Sequence, residues 1–321
     1  MTSDTIDRAD TLAVQSVRSR PGGAAGRRGG VSATTRRSTR RRTLTGVLLL
    51  VPAIVAVLGL AIVPILIVAR NSFAESNVYG GITGGFTLDN YAQLLDPVYG
   101  KVLVYSLGMA VLNTAICLVV GYIVSYYIVS RPPQRQSLLL LLIIVPFWID
   151  FLVRTFAWIS VLGRGGPVYG LLDLLGVNTS QLSLVPSEGA VVMGLLYAFL
   201  PTAIFPIYAS MRAIDPSVKE AAADLGCGWW QTHFRVLVPL SSTGIIAAAM
   251  LTFIPTLGVF VIPVLLGGGK QQLVGNLIVT LYTEFRNQPM GAAVSTVLLV
   301  LMLLAMAVAG LIARRGRKKV A

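Results

Sequence analysis

Charge is scarce in this 321-residue chain: 12% of its residues are Asp, Glu, Lys or Arg, about half the share that covers a soluble domain. Its two cysteines, Cys117 and Cys227, stand in an apolar run and a polar loop. A disulfide-built fold is therefore excluded, and no bridge between them is expected. The single histidine, His233, and the scattered carboxylates leave too little material for a zinc cluster or a His-based catalytic triad. What is plentiful is apolar, 55% of residues, which excludes disorder of the whole chain. The composition points to a membrane.

The net charge of +13 is unevenly placed. Residues 1–42 hold ten arginines against Asp4, Asp7 and Asp10. Rich in Gly, Ser, Thr and Ala and without a large apolar cluster, this segment is predicted to be a disordered basic cytoplasmic tail. It is no secretory signal, because both the basic region and the apolar run after it are too long. It reads as a tail facing anionic lipid and as an orientation signal. A nucleic-acid arm is the other reading, but no aromatic residue interleaves with the arginines.

A bilayer-crossing helix needs about 20 apolar residues. Thr43–Ala69, Val102–Ser130, Gly189–Met211, Val236–Gly269 and Asn287–Ala313 contain no Asp, Glu, Lys or Arg. A sixth window, Gln136–Gly163, is equally apolar but carries Asp150 and Arg154. None has the polar face of a water-soluble core helix. The chain is predicted to be an all-α polytopic membrane protein with six transmembrane helices in residues 43–313. An inside N-terminus puts 1–42, 131–135, 212–235 and 314–319 in the cytoplasm, with twenty of the 26 Lys and Arg. The positive-inside rule selects that orientation, with a basic cytoplasmic C-terminus at 314–321. Residues 71–101, 164–188 and 267–286 become outer connections, the first with a short helix around Asn90–Leu95 begun by an Asp89 cap. No internal repeat stands out.

The loop at 212–239 reads RAIDPSVKEAAADLGCGWWQTHFRVLVP. Asp215 suits a cap, Pro216 a first helical position, and Lys219, Glu220 and three alanines are good helix formers. Gly226 ends that helix, with a left-handed cap expected. A second amphipathic stretch follows from Trp229 to Val238, and Pro239 marks entry to the next span. The alanines leave little bulk, so another protein can approach closely, and Glu220 offers it a negative charge. Periodicity alone favours a surface helix lying on its own lipid or protein.

Glu220-Ala221-Ala222, Gly226, Val236 and Val238-Pro239 resemble the EAA loop of bacterial ABC importer permeases, with Val236 and Val238 replacing the family's Ile and Leu. FTLDNYAQLLD (86–96), VPFWIDFLVRTFAWISVLGRGG (145–166), LPTAIFPIYASMRAIDPSVKEAAADLG (200–226) and GGGKQQLVGNLI (267–278) extend the likeness, most closely to the spermidine/putrescine branch. The resemblance implies a type I importer permease fold. It also implies a non-catalytic subunit forming a translocation path for polyamines in a bacterial cell membrane. The implied partners are a dimer of ABC ATPase subunits that binds the ATP, a second permease and an extracytoplasmic substrate-binding protein. Residues matching the loop, Glu220, Ala221, Ala222, Asp224, Gly226 and Pro239, would form the helix that docks on the ATPase. The arginine-rich extension and Asp150, where the family more often has an uncharged polar residue, depart from the pattern.

Hydrolysis finds no machinery here. The nearest phosphate-loop candidate, Gly267-Gly268-Gly269-Lys270, has Val264 in place of the needed Gly and Gln271 in place of Ser/Thr. ATP is therefore expected to bind a separate subunit. Asp150 and Arg154 lie four apart, on one helix face, and two readings stay open. They neutralise each other, or Asp150 meets an ammonium while Arg154 positions it or pairs with the second permease. Phe147, Trp148 and Trp158 offer ring faces to a cation, or simply pack. Pro201, Pro206, Pro255, Gly258 and Pro263 interrupt the central spans and suit hinges. Gly244 and Ala247–Ala249 suit close packing with a partner permease. Neither Cys227 nor His233 reads as a ligand. Another small solute as cargo (a metal ion or an organic anion), a stand-alone secondary transporter and a non-transporting scaffold are the alternatives.

Overall fold

The computed structural model describes residues 33–320, apart from 78–79, 180–181 and 270–271. The tail expected at residues 1–32, and Lys270 and Gln271 of the glycine-rich loop, lie outside the described residues. The chain divides into two units, Met1–Ile62 and Val63–Ala321. The described part of the first unit is helical, because helix α1 spans Ala33–Asn71. Residues 33–42 are thus helical rather than irregular, and the basic stretch at the other terminus likewise continues a helix.

In the second unit, strands β1 (Ala74–Ser76) and β2 (Ile82–Phe86) form an antiparallel pair, a small departure from an all-α fold. Helix α2, Asp89–Gln93, starts from Leu88, and Thr87 accepts the Asp89 N–H at 3.1 Å, so Asp89 is in the first turn and not the cap. Buried Asn90 donates to the carbonyls of Ser72 (3.0 Å) and Ala74 (2.9 Å), tying α2 to the pair. Helix α3 runs Pro97–Val129 behind an Asp96 cap. It is followed by α4 (Pro133–Ile144), a 3-10 turn (Val145–Trp148), α5 (Phe151–Leu162) and α6 (Pro167–Leu174). Helix α7 spans Glu188–Arg212, α8 Ser217–Asp224 and α9 Trp229–Leu240, with a π-helical turn at Thr232–Leu237. Helices α10 (Ser242–Gly258), α11 (Val261–Gly267), α12 (Val274–Thr283) and α13 (Gln288–Val320) complete the chain.

Among the described residues four helices are long and apolar enough to cross a membrane, and two bent pairs bring the number to six. The third and fifth spans are thus bent, the fifth among the interruptions expected from Pro255, Gly258 and Pro263. The third turns by 91° between Trp148 and Phe151, where Pro146 tightens the chain into the 3-10 turn and Ile149 is extended. Around the fifth, α9 and α10 meet at 72°, and a further break at Val259–Phe260 separates α10 from α11.

Helices α3, α7 and α10 form the centre. Between Met109 and Ile128 the buried face of α3 is small or polar: Ala110, Asn113, Thr114, Cys117, Gly121 and Ser125, with Ser106 before them. Small side chains let membrane helices approach, and polar ones then bond across. Asn113 donates to Thr256 of α10 at 2.9 Å, and Ser125 to the Ile204 carbonyl of α7 at 3.0 Å. A Cβ added at Gly244 would overlap the Pro206 carbonyl oxygen and the Ser210 hydroxyl of α7. Gly244 therefore serves packing within this chain, not the expected contact with a partner permease; Ala248 is also buried inside.

Candidate coupling loop and membrane site

The loop from Arg212 to Leu240 is built on two stops. Asp215 accepts the Ser217 N–H at 2.9 Å, opening α8 next to Pro216. The Ser217 hydrogen bonds hold the Asp215 carboxyl below the usual carboxylate range. At the other end Gly226 takes φ +76°. Cys227 N–H bonds the Ala222 carbonyl at 3.0 Å and Gly226 N–H bonds Ala223 at 2.9 Å. These two bonds make a Schellman cap, which needs a left-handed residue where the chain turns away. A Cβ at Gly226 would meet nothing within 4 Å, so the demand for glycine here is one of backbone conformation alone.

Glu220, Ala221, Asp224 and Gly226 are exposed, and so is Pro239. Of the six residues matched to the coupling motif, Ala222 alone is buried (5% accessible). The bulk-free patch therefore has two faces: Ala222 turns inward against the chain's own fold, while Ala221 and Ala223 stay outside with Glu220. Leu225, 84% accessible, adds an apolar knob that the sequence reading passed over. Lys219 lies over the Tyr126 ring of α3 at 5.0 Å, pinning α8 to a span. Pro239 lies inside α9, and the next span opens after it, at Ser242.

Gln136 was not foreseen. Buried at the start of α4, it donates to the carbonyls of Val129 (3.2 Å) and Arg131 (2.6 Å). Its Oε1 accepts from Tyr208 (2.9 Å) and from Arg212, the last residue of α7. One side chain thus joins the end of α3, the start of α4 and the root of the loop. Nothing in the local sequence marks it, because the three partners meet only in the folded chain.

At the bend of the third span Asp150 and Arg154 do not pair. Asp150 is exposed and caps α5, accepting the N–H groups of Leu152 (2.8 Å) and Val153 (3.4 Å). Arg154 is buried (9% accessible). Its Nη2 donates to the carbonyls of Ile149 (3.0 Å) and Phe147 (3.4 Å). The guanidinium lies over the rings of Phe147 (4.8 Å) and Tyr197 (5.7 Å). The break explains the missing ion pair: residues at the two ends of a helical turn face each other only if the helix is continuous, and here it begins between them. Trp158 packs edge-on against Tyr197 at 5.6 Å, whereas Trp148 is 77% accessible. The bend therefore displays one exposed carboxylate, engaged as a helix cap, and one exposed ring, and buries its positive charge against carbonyl oxygens at the helix break.

Residues 117–318 match the family of binding-protein-dependent transport system inner membrane components. The spermidine/putrescine transport system permease protein PotB of Escherichia coli (strain K12) is 37% identical over 257 residues, 80% of this chain and 94% of that protein. Its counterpart of the same name from Haemophilus influenzae is 37% identical over 243 residues, 76% of this chain and 85% of the relative. In fold, the chain resembles one in the crystal structure of a bacterial alginate ABC transporter bound to a pentasaccharide-carrying periplasmic protein. The TM-score is 0.70 at 15% identity, covering 87% of this chain and 96% of that one.

Proposed function

The chain belongs to the family of binding-protein-dependent transport system inner membrane components, and on that premise we propose that it moves polyamines, spermidine- and putrescine-like cations, across the membrane. It is a multi-pass, non-catalytic permease subunit of an ATP-binding-cassette importer. The observation that carries the cargo is the 37% identity to a permease named for spermidine and putrescine along nearly that protein's whole length. An exposed carboxylate at the bend of the third span agrees with it, since a polycation needs an anionic stop within the path.

The partners in this reading are a pair of ATPase subunits that bind ATP, a second permease and an extracytoplasmic binding protein. The N- and C-termini and the Arg212–Leu240 loop face the cytoplasm. Closure of the ATPase pair pushes α8 through Glu220, Ala221, Asp224 and Leu225. The push is transmitted because α8 is fixed at both ends and its root is tied to two other spans through Gln136. This is rigid-body coupling through packed contacts. Trp148 shares the exposed rim with Asp150; Arg154 acts from behind, holding the bend that presents the carboxylate.

The test is uptake in vesicles containing this chain with its ATPase, second permease and binding protein. ATP-dependent uptake of labelled spermidine, competed by putrescine, is expected. Uptake of a divalent metal ion or an organic anion without spermidine would overturn the cargo, and uptake by the chain alone without ATP would overturn the class.

A further inference from the structure

We propose that a groove between α3, α9 and α10 holds an anionic phospholipid. The groove is a cavity of about 410 Å³ walled by Leu118, Val119, Tyr122 and Ile123 of α3, Trp229, Trp230, His233, Phe234 and Val238 of α9, and Ile245 of α10. Its size falls in the range of small-molecule sites, about 300–1,000 Å³. The chain does not fill it, and the walls are carbon almost throughout.

Positive charge lies close to both walls. Val119, Ile123 and Tyr127 lie four apart and so make one stripe along α3; all three are exposed. The stripe ends where the Arg131 guanidinium sits 4.3 Å over the Tyr127 ring. On the opposite wall Trp230 and Phe234 stack at 5.8 Å, and the next residue, Arg235, is exposed. An apolar slot between spans with arginines near its walls complements an acyl chain joined to a negative headgroup.

Tyr122 and His233 line this groove, and each carries a buried polar atom without a partner, Oη and Nε2. His233 is 4% accessible, and its Nδ1 meets the Trp229 carbonyl at 2.9 Å. A carbonyl only accepts, so Nδ1 carries the hydrogen and Nε2 of the neutral ring is a bare acceptor. Buried polar groups are rarely left so. The glycerol-ester region of a lipid supplies what a bare hydrocarbon does not: carbonyl oxygens to accept from Tyr122. In phosphatidylglycerol the headgroup hydroxyls can also donate.

The experiment uses the full chain in nanodiscs containing phosphatidylcholine with either phosphatidylglycerol or further phosphatidylcholine brominated in its acyl chains. Quenching of Trp229 and Trp230 is taken as the difference from a W229F/W230F variant. Brominated phosphatidylglycerol is expected to quench at several-fold lower mole fraction than brominated phosphatidylcholine. Arg131→Gln and Arg235→Gln are each expected to weaken that preference about fivefold, and Ile123→Phe to lower quenching by both lipids. Equal quenching by the two lipids, unchanged in the arginine variants, would overturn the proposal. So would efficient cross-linking of Val119→Cys to a helix of the second permease in the assembled transporter, since the groove would then hold protein. Neither readout depends on the transported cargo.

Discussion

Gly226 shows how far a single position can be read from sequence. The helix formers before it and the chain's exit after it called for a left-handed stop, and the residue has φ +76°. With open space around it, Gly226→Ala costs only the left-handed conformation, about 1–2 kcal/mol, and Gly226→Asn less. Gly226→Asp adds charge at the proposed docking face. Insertion is expected to survive in all three, with uptake reduced in Ala and abolished in Asp; normal uptake by the Asp variant would argue strongly against α8 as the coupling element. At the bend, Asp150→Asn separates two roles, because Asn caps a helix about as well as Asp. Melting temperature should hold while the KM for spermidine rises about tenfold or more, the loss of a charge-assisted contact. Arg154→Leu should do the reverse: it leaves two carbonyls bare and lowers stability by about 2–3 kcal/mol, with partial rescue by Lys. The sequence placed these two on one face because it assumed an unbroken helix.

At the scale of elements, hydropathy located every crossing but not its direction. A charge-free window reports that a segment prefers lipid; it is indifferent to whether the segment runs straight. The 91° turn follows from Pro146 and from Asp150 acting as a cap, and both signals were visible in residues 145–150. Gln136 was beyond reach for a different reason. Its four hydrogen bonds join residues up to 76 positions apart, and no local pattern encodes such a meeting. Gln136→Leu leaves these groups unsatisfied, at about 1–3 kcal/mol. ATP hydrolysis by the assembled transporter should continue while uptake falls; a proportional loss of both would instead assign Gln136 to folding alone.

For the whole molecule, the charge distribution predicts both termini and the Arg212–Leu240 loop inside. The two native thiols make the test simple, as Cys117 is buried and Cys227 is partly accessible. A membrane-impermeant maleimide should label intact right-side-out vesicles hardly at all, and should label Cys227 after permeabilisation. Labelling of Cys227 from outside would invert the topology. For the proposed coupling the telling feature is that α9 and α10 meet at 72°. In that proposal such an elbow would work as a bell crank, turning a thrust along the membrane normal into a sideways sweep. Helix α10 has 17 residues, about 25 Å of arm, so a tilt of about 10° at the elbow carries its far end about 4 Å. That end is Gly258, beside the break that begins α11, so on the proposed orientation a small stroke at the cytoplasmic surface would become a wide displacement deep in the bilayer.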